Sequence, residues 1–216
     1  RFDDKKGIIE LQSGVLLKEI LPIIVKKNWI FPVTPGTKYV SIGGMVANNI
    51  HGKNTQKNQI KFYVKNIKIL TPNKKIISCS LRKNKKIFDL TIGGFGLTGI
   101  ILSATMQLKK ISSFYLKQEI VEFNTYNEFY NVAKRTDNFD YSVSWVHRFT
   151  NNKISGLWFF SNHANIKKNY TNFKILNEKK IGIIWYLILA LIVNINFFST
   201  LFNYFYKTYK KSFYKE

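Results

Sequence analysis

Residues 33–54, VTPGTKYVSIGGMVANNIHGKN, constrain the fold more than any other stretch of the chain. They include four glycines, a Pro-Gly turn and one histidine, and no acidic residue. Glycine is favoured where the backbone needs positive φ or approaches another group closely. The sequence SIGG followed by a short apolar run predicts one or two helical turns. Their first N–H groups are expected to be free and suited to phosphate or another electron-rich ligand.

A second glycine segment, IGGFGLTG at residues 92–99, precedes a run rich in β-branched residues. Two glycine-lined segments separated by a β-hairpin are suited to holding one large, flat cofactor from two sides. The alternative is that these glycines serve only turns and bulges. Neither segment matches the dinucleotide fingerprint GxGxxG or the Walker loop, so the sequence does not support the folds that carry those motifs.

The chain is strongly basic, with a formal net charge of +22. Such a charge is compatible with binding to nucleic acid, an anionic membrane or an anionic ligand. The alternative is a coding bias, because lysine is enriched together with Ile, Asn, Phe and Tyr while arginine occurs only four times. The single cysteine, Cys79, excludes an internal disulfide and a cysteine-based metal site, and no metal ligands are assigned.

Apolar periodicity predicts the elements around the glycine segments. In the first half it predicts a strand over 7–15, a helix over 16–28 bent by Pro22, a hairpin of strands 62–71 and 74–81, and a long strand after Gly99. The lysine-rich stretch RKNKK, residues 82–86, is predicted to be a solvated loop. From residue 112 the pattern predicts strands over 114–123, 141–149 and 154–162 and a helix over 125–136. We therefore expect an α+β fold with domains at 1–111, built on a mixed sheet, and at 112–216.

The C-terminal segment 181–206 is hydrophobic, and its first part, IGIIWYLILALIVNINFF at residues 181–198, is about as long as a bilayer-spanning helix. Lysines flank it, but Asn194 and Asn196 lie near its end. The following residues are aromatic and amphipathic, with basic residues last. A transmembrane helix, a buried helix and an interfacial amphipathic segment all remain open.

The stretch PGTKYVSIGGMVANNIHGKN, followed by IGGFGLTGIILSATMQL, resembles the flavin-binding domain of the vanillyl-alcohol oxidase/PCMH superfamily. Within that superfamily it is similar to a group that oxidises the pentose of a polyprenyl-phosphate sugar. The sequences YSVSW at 141–145 and FNYFYK at 202–207 also occur in that group. The resemblance implies the rear part of a PCMH-type FAD-binding domain followed by the start of an α+β substrate domain.

The resemblance also implies a cofactor, FAD, bound without a covalent bond. It assigns His51 to the catalytic site, where the imidazole would orient a sugar hydroxyl beside the flavin; the alternative is a histidine that caps a turn. By position in the motif, the flavin contacts are Gly36, Ser41, Ile42, Gly43, Gly44, Asn48, Asn49, Ile50, His51 and, through its backbone or side chain, Ile101.

The chain departs from the family pattern in ways that predict a fragment. The family's first glycine-rich pyrophosphate loop is expected to precede Arg1, and the lysine and tyrosine of its substrate domain are expected to follow Glu216. Asn49 stands where the family has an acidic residue. A folded but inactive, truncated oxidase is therefore a further alternative.

The resemblance therefore implies an FAD-dependent oxidoreductase that oxidises a sugar hydroxyl, with a polyprenyl-phosphate pentose as the substrate. The resemblance implies an NAD(P)-dependent reductase as a partner, and a cytoplasmic or inner-membrane peripheral location with a membrane surface as a second partner. No nucleic acid is expected. The alternatives are an aldonolactone or alditol oxidase and, from another class, a non-enzymatic basic protein that binds nucleic acid or membranes.

Overall fold

The computed structural model describes residues 1–54, 58–150, 153–165, 184, 186–188, 190 and 196–213. The chain divides into two compact units. The first comprises Arg1–Leu116 and a return segment that begins at His163. The second comprises Lys117–Asn162 and the described C-terminal helix. The domain boundary at residue 111 stays a prediction, because compactness alone does not assign either unit to a protein family.

The first unit is built on a five-stranded sheet in the order β1-β2-β6-β4-β5. Each neighbouring pair of strands is antiparallel, so the expected mixed sheet is wrong. The β4–β5 hairpin is as predicted. A separate two-stranded pair joins β3 to β7. The strands are β1 (Phe2–Asp3), β2 (Ile8–Gln12), β3 (Trp29–Ile30), β4 (Val64–Leu70), β5 (Ile76–Ser80), β6 (Ile100–Gln107) and β7 (Lys109–Lys110).

Three helices accompany this sheet: α1 (Leu17–Val25), α2 (Ile42–Ala47) and α3 (Lys85–Thr91). The helix α1 begins where the backbone N–H of Leu16 donates to Glu19, and it contains Pro22 as predicted. The helix α3 was missed, because its first residues lie in the lysine-rich stretch expected to be a loop. A 3-10 turn at Ile60–Phe62 precedes β4 and was also missed.

The core of the first unit lies between one face of the sheet and the helices. Alternation along β4 places Ile67 and Ile69 in this core, while Lys68 is exposed on the other face. There Lys68 pairs with Glu10 of β2 at 2.9 Å. The hydrogen bond and charge of Lys68 lower the pKa of the Glu10 carboxyl below its ordinary value. This ion pair therefore lies on the outer face of the sheet, and the inner face positions α2.

The second unit contains a three-stranded sheet in the order β8-β10-β9. Its elements are β8 (Leu116–Phe123), α4 (Tyr126–Arg135), β9 (Tyr141–Thr150), β10 (Lys153–His163) and α5 (Asn196–Phe213). The first four match the predicted strands and helix. Strands β9 and β10 are antiparallel, and Phe123 and Leu157 are fully buried. Phe129 packs edge-on against Trp158, whose indole N–H donates to Thr136.

Helix α5 is held to β9 by aromatic and polar contacts. The Trp145 ring stacks on Tyr206 with centroids 4.4 Å apart, and its indole N–H donates to Asn203 at 3.3 Å. Lys207 forms an ion pair with Glu122 of β8. The two short sequences singled out at 141–145 and 202–207 are thus brought together. Most of the apolar segment 181–198 lies outside the described residues, and within the described part no helix has the length and apolarity needed to cross a bilayer.

Candidate functional site

The first glycine segment forms α2, as its sequence predicts. Ser41 precedes the helix in extended conformation, and its hydroxyl accepts a hydrogen bond from the N–H of Gly44 at 3.1 Å. This is an N-cap, the local reason for the helix to begin here. Ile42, Met45 and Val46 are fully buried and fix the helix on the sheet.

The N–H groups at the start of α2 are not free. The N–H of Ile42 donates to the carbonyl of Val15 at 2.9 Å, and that of Gly43 donates to Ser13 at 2.8 Å. With Gly44 bound to Ser41, the first three N–H groups all have protein partners. The expectation that this helix start offers free donors to a phosphate is therefore wrong.

Gly43 has a structural reason to be glycine. A Cβ added there would lie 2.8 Å from the Cβ of Ser13, closer than real side chains approach. The absence of a side chain lets α2 pack against the end of β2. At Gly44 the nearest atom to an added Cβ is the Ser41 hydroxyl oxygen at 3.1 Å, and Gly44 is half-buried. Of these two glycines, Gly44 has more room for a ligand.

The residues after α2 turn the chain back towards β4. Asn48 caps the helix, and its side-chain amide donates to the Gly44 carbonyl at 2.9 Å. Asn49 has a φ of +42°, which asparagine tolerates better than most residues. Its side chain donates to Gln59 and accepts from the N–H of Lys61. Ile50 donates to Met45, so the predicted residues 48–50 form one hydrogen-bonded turn.

His51 follows this turn and is exposed. It forms an isolated antiparallel bridge with Gln59. Its imidazole therefore lies at the surface of the first unit, accessible from outside. Of the other histidines, His163 has its Nδ1 2.8 Å from the carbonyl of Ser113, and the side chain of His147 lies outside the described residues.

The second glycine segment docks on the end of α2. The N–H of Gly93 donates to the carbonyl of Val46 at 3.1 Å, and that of Phe95 donates to Ala47 at 3.0 Å. A Cβ on Gly93, which has a φ of +83°, would lie 3.2 Å from the Cβ of Asn49. The structure thus joins the two predicted glycine segments directly. Sequence reasoning missed this contact, since it depends on pairing between residues far apart in the chain.

Ile101 and Gly36 are two further predicted positions of the site. Ile101 is buried in the core and pairs with Ile69 of β4 in the sheet, so its side chain is not exposed to a ligand, and the predicted cofactor contact stays a prediction. Gly36 is exposed, and the neighbouring Thr34 has its carbonyl oxygen 2.8 Å from the position of a Cβ on Gly52. The turn containing Gly36 therefore lies beside the residues that follow His51. The Oδ1 atom of Asn54 lies close to the same glycine, 2.7 Å from the position of a Cβ on Gly52. This oxygen is buried and, among the described residues, has no hydrogen-bond partner.

These residues fit a flavin nucleotide. Residues 33–54 and 92–99 contain no acidic side chain that would repel a pyrophosphate. At Gly36 and Gly96 the backbone is exposed, and an added Cβ would meet no atom within 4 Å. A planar ligand can approach such backbone closely. The helix start is excluded as the phosphate donor, so the fit rests on the exposed glycine backbone.

Comparison with known proteins defines the class. Residues 1–80 match the FAD binding domain family FAD_binding_4. Residues 1–80 are therefore similar to an FAD binding domain, and this match supports FAD as the cofactor.

Three relatives narrow the comparison. The chain is 28% identical over 150 residues to decaprenylphosphoryl-beta-D-ribose oxidase of Mycolicibacterium smegmatis, covering 67% of this chain and 32% of the relative. It is 28% identical over 131 residues to D-lactate dehydrogenase of Anaerostipes hadrus, covering 56% and 28%. It is 24% identical over 118 residues to L-gulonolactone oxidase of Bos taurus, covering 55% and 26%. The chain thus spans about a third or less of the length of these relatives.

Proposed function

We propose that this chain is part of an FAD-dependent oxidoreductase that oxidises a hydroxyl of a sugar carried on a polyprenyl phosphate. One observation carries the choice of substrate. The similarity to decaprenylphosphoryl-beta-D-ribose oxidase extends over 150 residues, more than the 116 residues of Arg1–Leu116. It therefore continues into the second unit. Similarity confined to the FAD binding domain would support the cofactor alone.

The chain's own residues have simple roles in this proposal. Bound FAD would take up the hydride from the carbinol carbon while a base takes the hydroxyl proton, so that the alcohol becomes a ketone. The backbone at Gly36 and Gly44 would lie against the cofactor. The exposed imidazole of His51 would hydrogen-bond the sugar hydroxyl and hold its carbon in place. The accessible position of His51 at the end of the α2 turn supports this role.

The proposal includes two partners. An NAD(P)-dependent reductase would consume the ketone, as the resemblance implies, and a membrane surface would present the lipid-linked substrate. An aldonolactone or alditol oxidase is the second candidate. The match to L-gulonolactone oxidase favours it, although that match covers less of this chain.

The first test is an absorbance spectrum of the protein purified from its full natural reading frame. We expect oxidised-flavin bands that heat or acid releases into solution as FAD. Bands that remain with the precipitated protein would indicate covalent FAD. The flavoprotein should then be reduced anaerobically by a prenyl-phosphate pentose and left oxidised by L-gulonolactone and D-lactate. Reduction by L-gulonolactone alone would establish the second candidate, and a protein that takes up no FAD would refute both.

A pair of glycine variants tests the site. Gly44→Leu should abolish flavin retention, because the side chain would project where the cofactor lies. Gly14→Leu is the matched control, since Gly14 is exposed, has ordinary φ and would meet no atom within 4 Å. Full flavin content in Gly44→Leu, or equal loss in both variants, would contradict the assigned position.

A further inference from the structure

Helix α5 has two different faces. One face carries the contacts of Asn203, Tyr206 and Lys207 with the sheet of the second unit. The opposite face carries large apolar side chains that remain exposed. Their exposed fractions are 70% for Phe197, 41% for Leu201, 65% for Tyr204 and 61% for Phe205. These four residues are called the aromatic face below.

The aromatic face is continuous along the helix. Its members are spaced at i, i+4, i+7 and i+8, the spacing that aligns side chains on one side of an α-helix. Each large aromatic side chain carries roughly 150–250 Å² of surface, so leaving three exposed on one helix creates a sizeable apolar patch. Earlier in the chain, the side chains of Ile184, Tyr186, Leu187 and Ile188 are exposed as well.

The charges of α5 indicate which surface would cover this face. The helix contains no acidic residue, and its basic residues near the C-terminal end are Lys207, Lys210 and Lys211. Lys207 is paired with Glu122, so Lys210 and Lys211 are the lysines proposed to meet the lipid. Aromatic rings on one face combined with lysines are typical of helices that lie in the headgroup region of an anionic bilayer. Tyrosine suits that region because its ring is apolar and its hydroxyl remains hydrated.

A second copy of the chain is a poorer occupant. Stable protein interfaces are depleted of lysine at their centre, and a copy of α5 would offer these lysines no carboxylate from its own residues. We propose that the aromatic face of α5 docks on the surface of an anionic lipid bilayer, with its axis along the interface. The inference is independent of the cofactor and of the sugar.

Flotation of the full chain with lipid vesicles tests this proposal. We expect binding to vesicles of phosphatidylcholine with phosphatidylglycerol, weaker binding to phosphatidylcholine alone, and a decrease as salt rises. The variant Phe197→Ser/Tyr204→Ser should reduce the bound-to-free ratio about tenfold or more, since both rings leave the bilayer. The matched control is Phe62→Ser/Tyr130→Ser, which removes one phenylalanine and one tyrosine that are 53% and 64% exposed elsewhere.

Two results would overturn the proposal. The first is equal vesicle binding by both double variants, with native circular dichroism in each. The second is a dimer in light scattering that Phe197→Ser/Tyr204→Ser dissociates, without vesicle binding by the parent chain. That second result would assign the aromatic face to a copy of the chain. A lysine variant tests the contribution of charge separately. Lys210→Gln/Lys211→Gln should weaken binding to the anionic vesicles and leave binding to phosphatidylcholine unchanged.

Discussion

Replacing Gly43 by alanine tests the packing of α2 on the end of β2. The new Cβ would lie 2.8 Å from the Cβ of Ser13 and 3.3 Å from its carbonyl oxygen, so helix and strand must separate. Overpacking of this kind typically costs about 1–3 kcal/mol. Alanine in a helix stabilises the folded protein by about 0.5–1 kcal/mol relative to glycine. We therefore expect the free energy of unfolding of Gly43→Ala to be lower than that of the parent by about 0–2.5 kcal/mol.

Gly44→Ala is the matched control, because it has the same propensity gain one residue along the helix. Its new Cβ would meet only the Ser41 hydroxyl oxygen at 3.1 Å, the end of a short side chain. The difference in unfolding free energy between the two variants then isolates the overpacking term, about 1–3 kcal/mol. Urea unfolding followed by far-ultraviolet circular dichroism measures both variants, provided that their denaturant slopes agree.

A rescue variant completes the test. Ser13→Gly removes the atom that the new Cβ would meet, so Ser13→Gly/Gly43→Ala should recover most of the loss in a double-mutant cycle. FAD binding, measured separately, should weaken more in Gly44→Ala than in Ser13→Gly/Gly43→Ala. If Gly43→Ala were as stable as Gly44→Ala, the close approach of α2 to Ser13 would be refuted.

Three further predictions concern single side chains. Burial, with a smaller contribution from the charge of Asp140, raises the pKa of Tyr141 to about 12. The neutral phenol therefore stabilises the fold fully below its ordinary pKa near 10, and this stabilisation is lost as the pH rises from 10 through 12. Alkaline unfolding should show a loss on the order of 2 kcal/mol that Tyr141→Phe lacks. Trp145→Phe removes the hydrogen bond to Asn203 and should lower the free energy of unfolding by about 1–2 kcal/mol, which proteolysis should detect as faster cleavage of α5. Unchanged proteolysis would contradict the packing of Trp145 on this helix. Cys79 is fully buried, and burial raises the pKa of its thiol. A thiol reagent should therefore label Cys79 only when the chain unfolds. Rapid labelling of the native chain would contradict the buried position of this residue.

Sequence patterns anticipated the elements whose determinants are local. The strand β4 follows from an approximate alternation of apolar and polar residues, and the hairpin to β5 follows from a Pro-Asn turn between two strand-like runs. The cap of α2 by Ser41 is likewise a short-range signal. The helix α3 was not anticipated, because it begins after Asn84, which has a φ of +52° and makes no side-chain cap.

The two glycine segments were located from the sequence, whereas their contacts were not, and the assignment of their residues to a cofactor stays a prediction. The glycine segments were located by composition and by a resemblance that FAD_binding_4 bears out for residues 1–80. The partners of their N–H groups could not be inferred, since Ser13 and Val15 belong to a strand end distant in the chain. The N–H groups of Ile42 and Gly43 at the start of α2, which the sequence suggests are free, therefore donate to backbone carbonyls in the fold.

The amino-acid sequence by itself determined the α+β composition and the location of the two glycine segments, because each depends on residue type and short-range spacing, and it carried the resemblance to an FAD binding domain. Only the tertiary structure decided that Gly43 packs on Ser13 while Gly44 remains accessible, that Gly93 meets Asn49, and that Trp145 holds α5. These outcomes depend on which distant backbone and side-chain atoms the antiparallel sheets bring within contact distance. Pairing between distant segments follows from burying the whole core at once, and local patterns do not encode it.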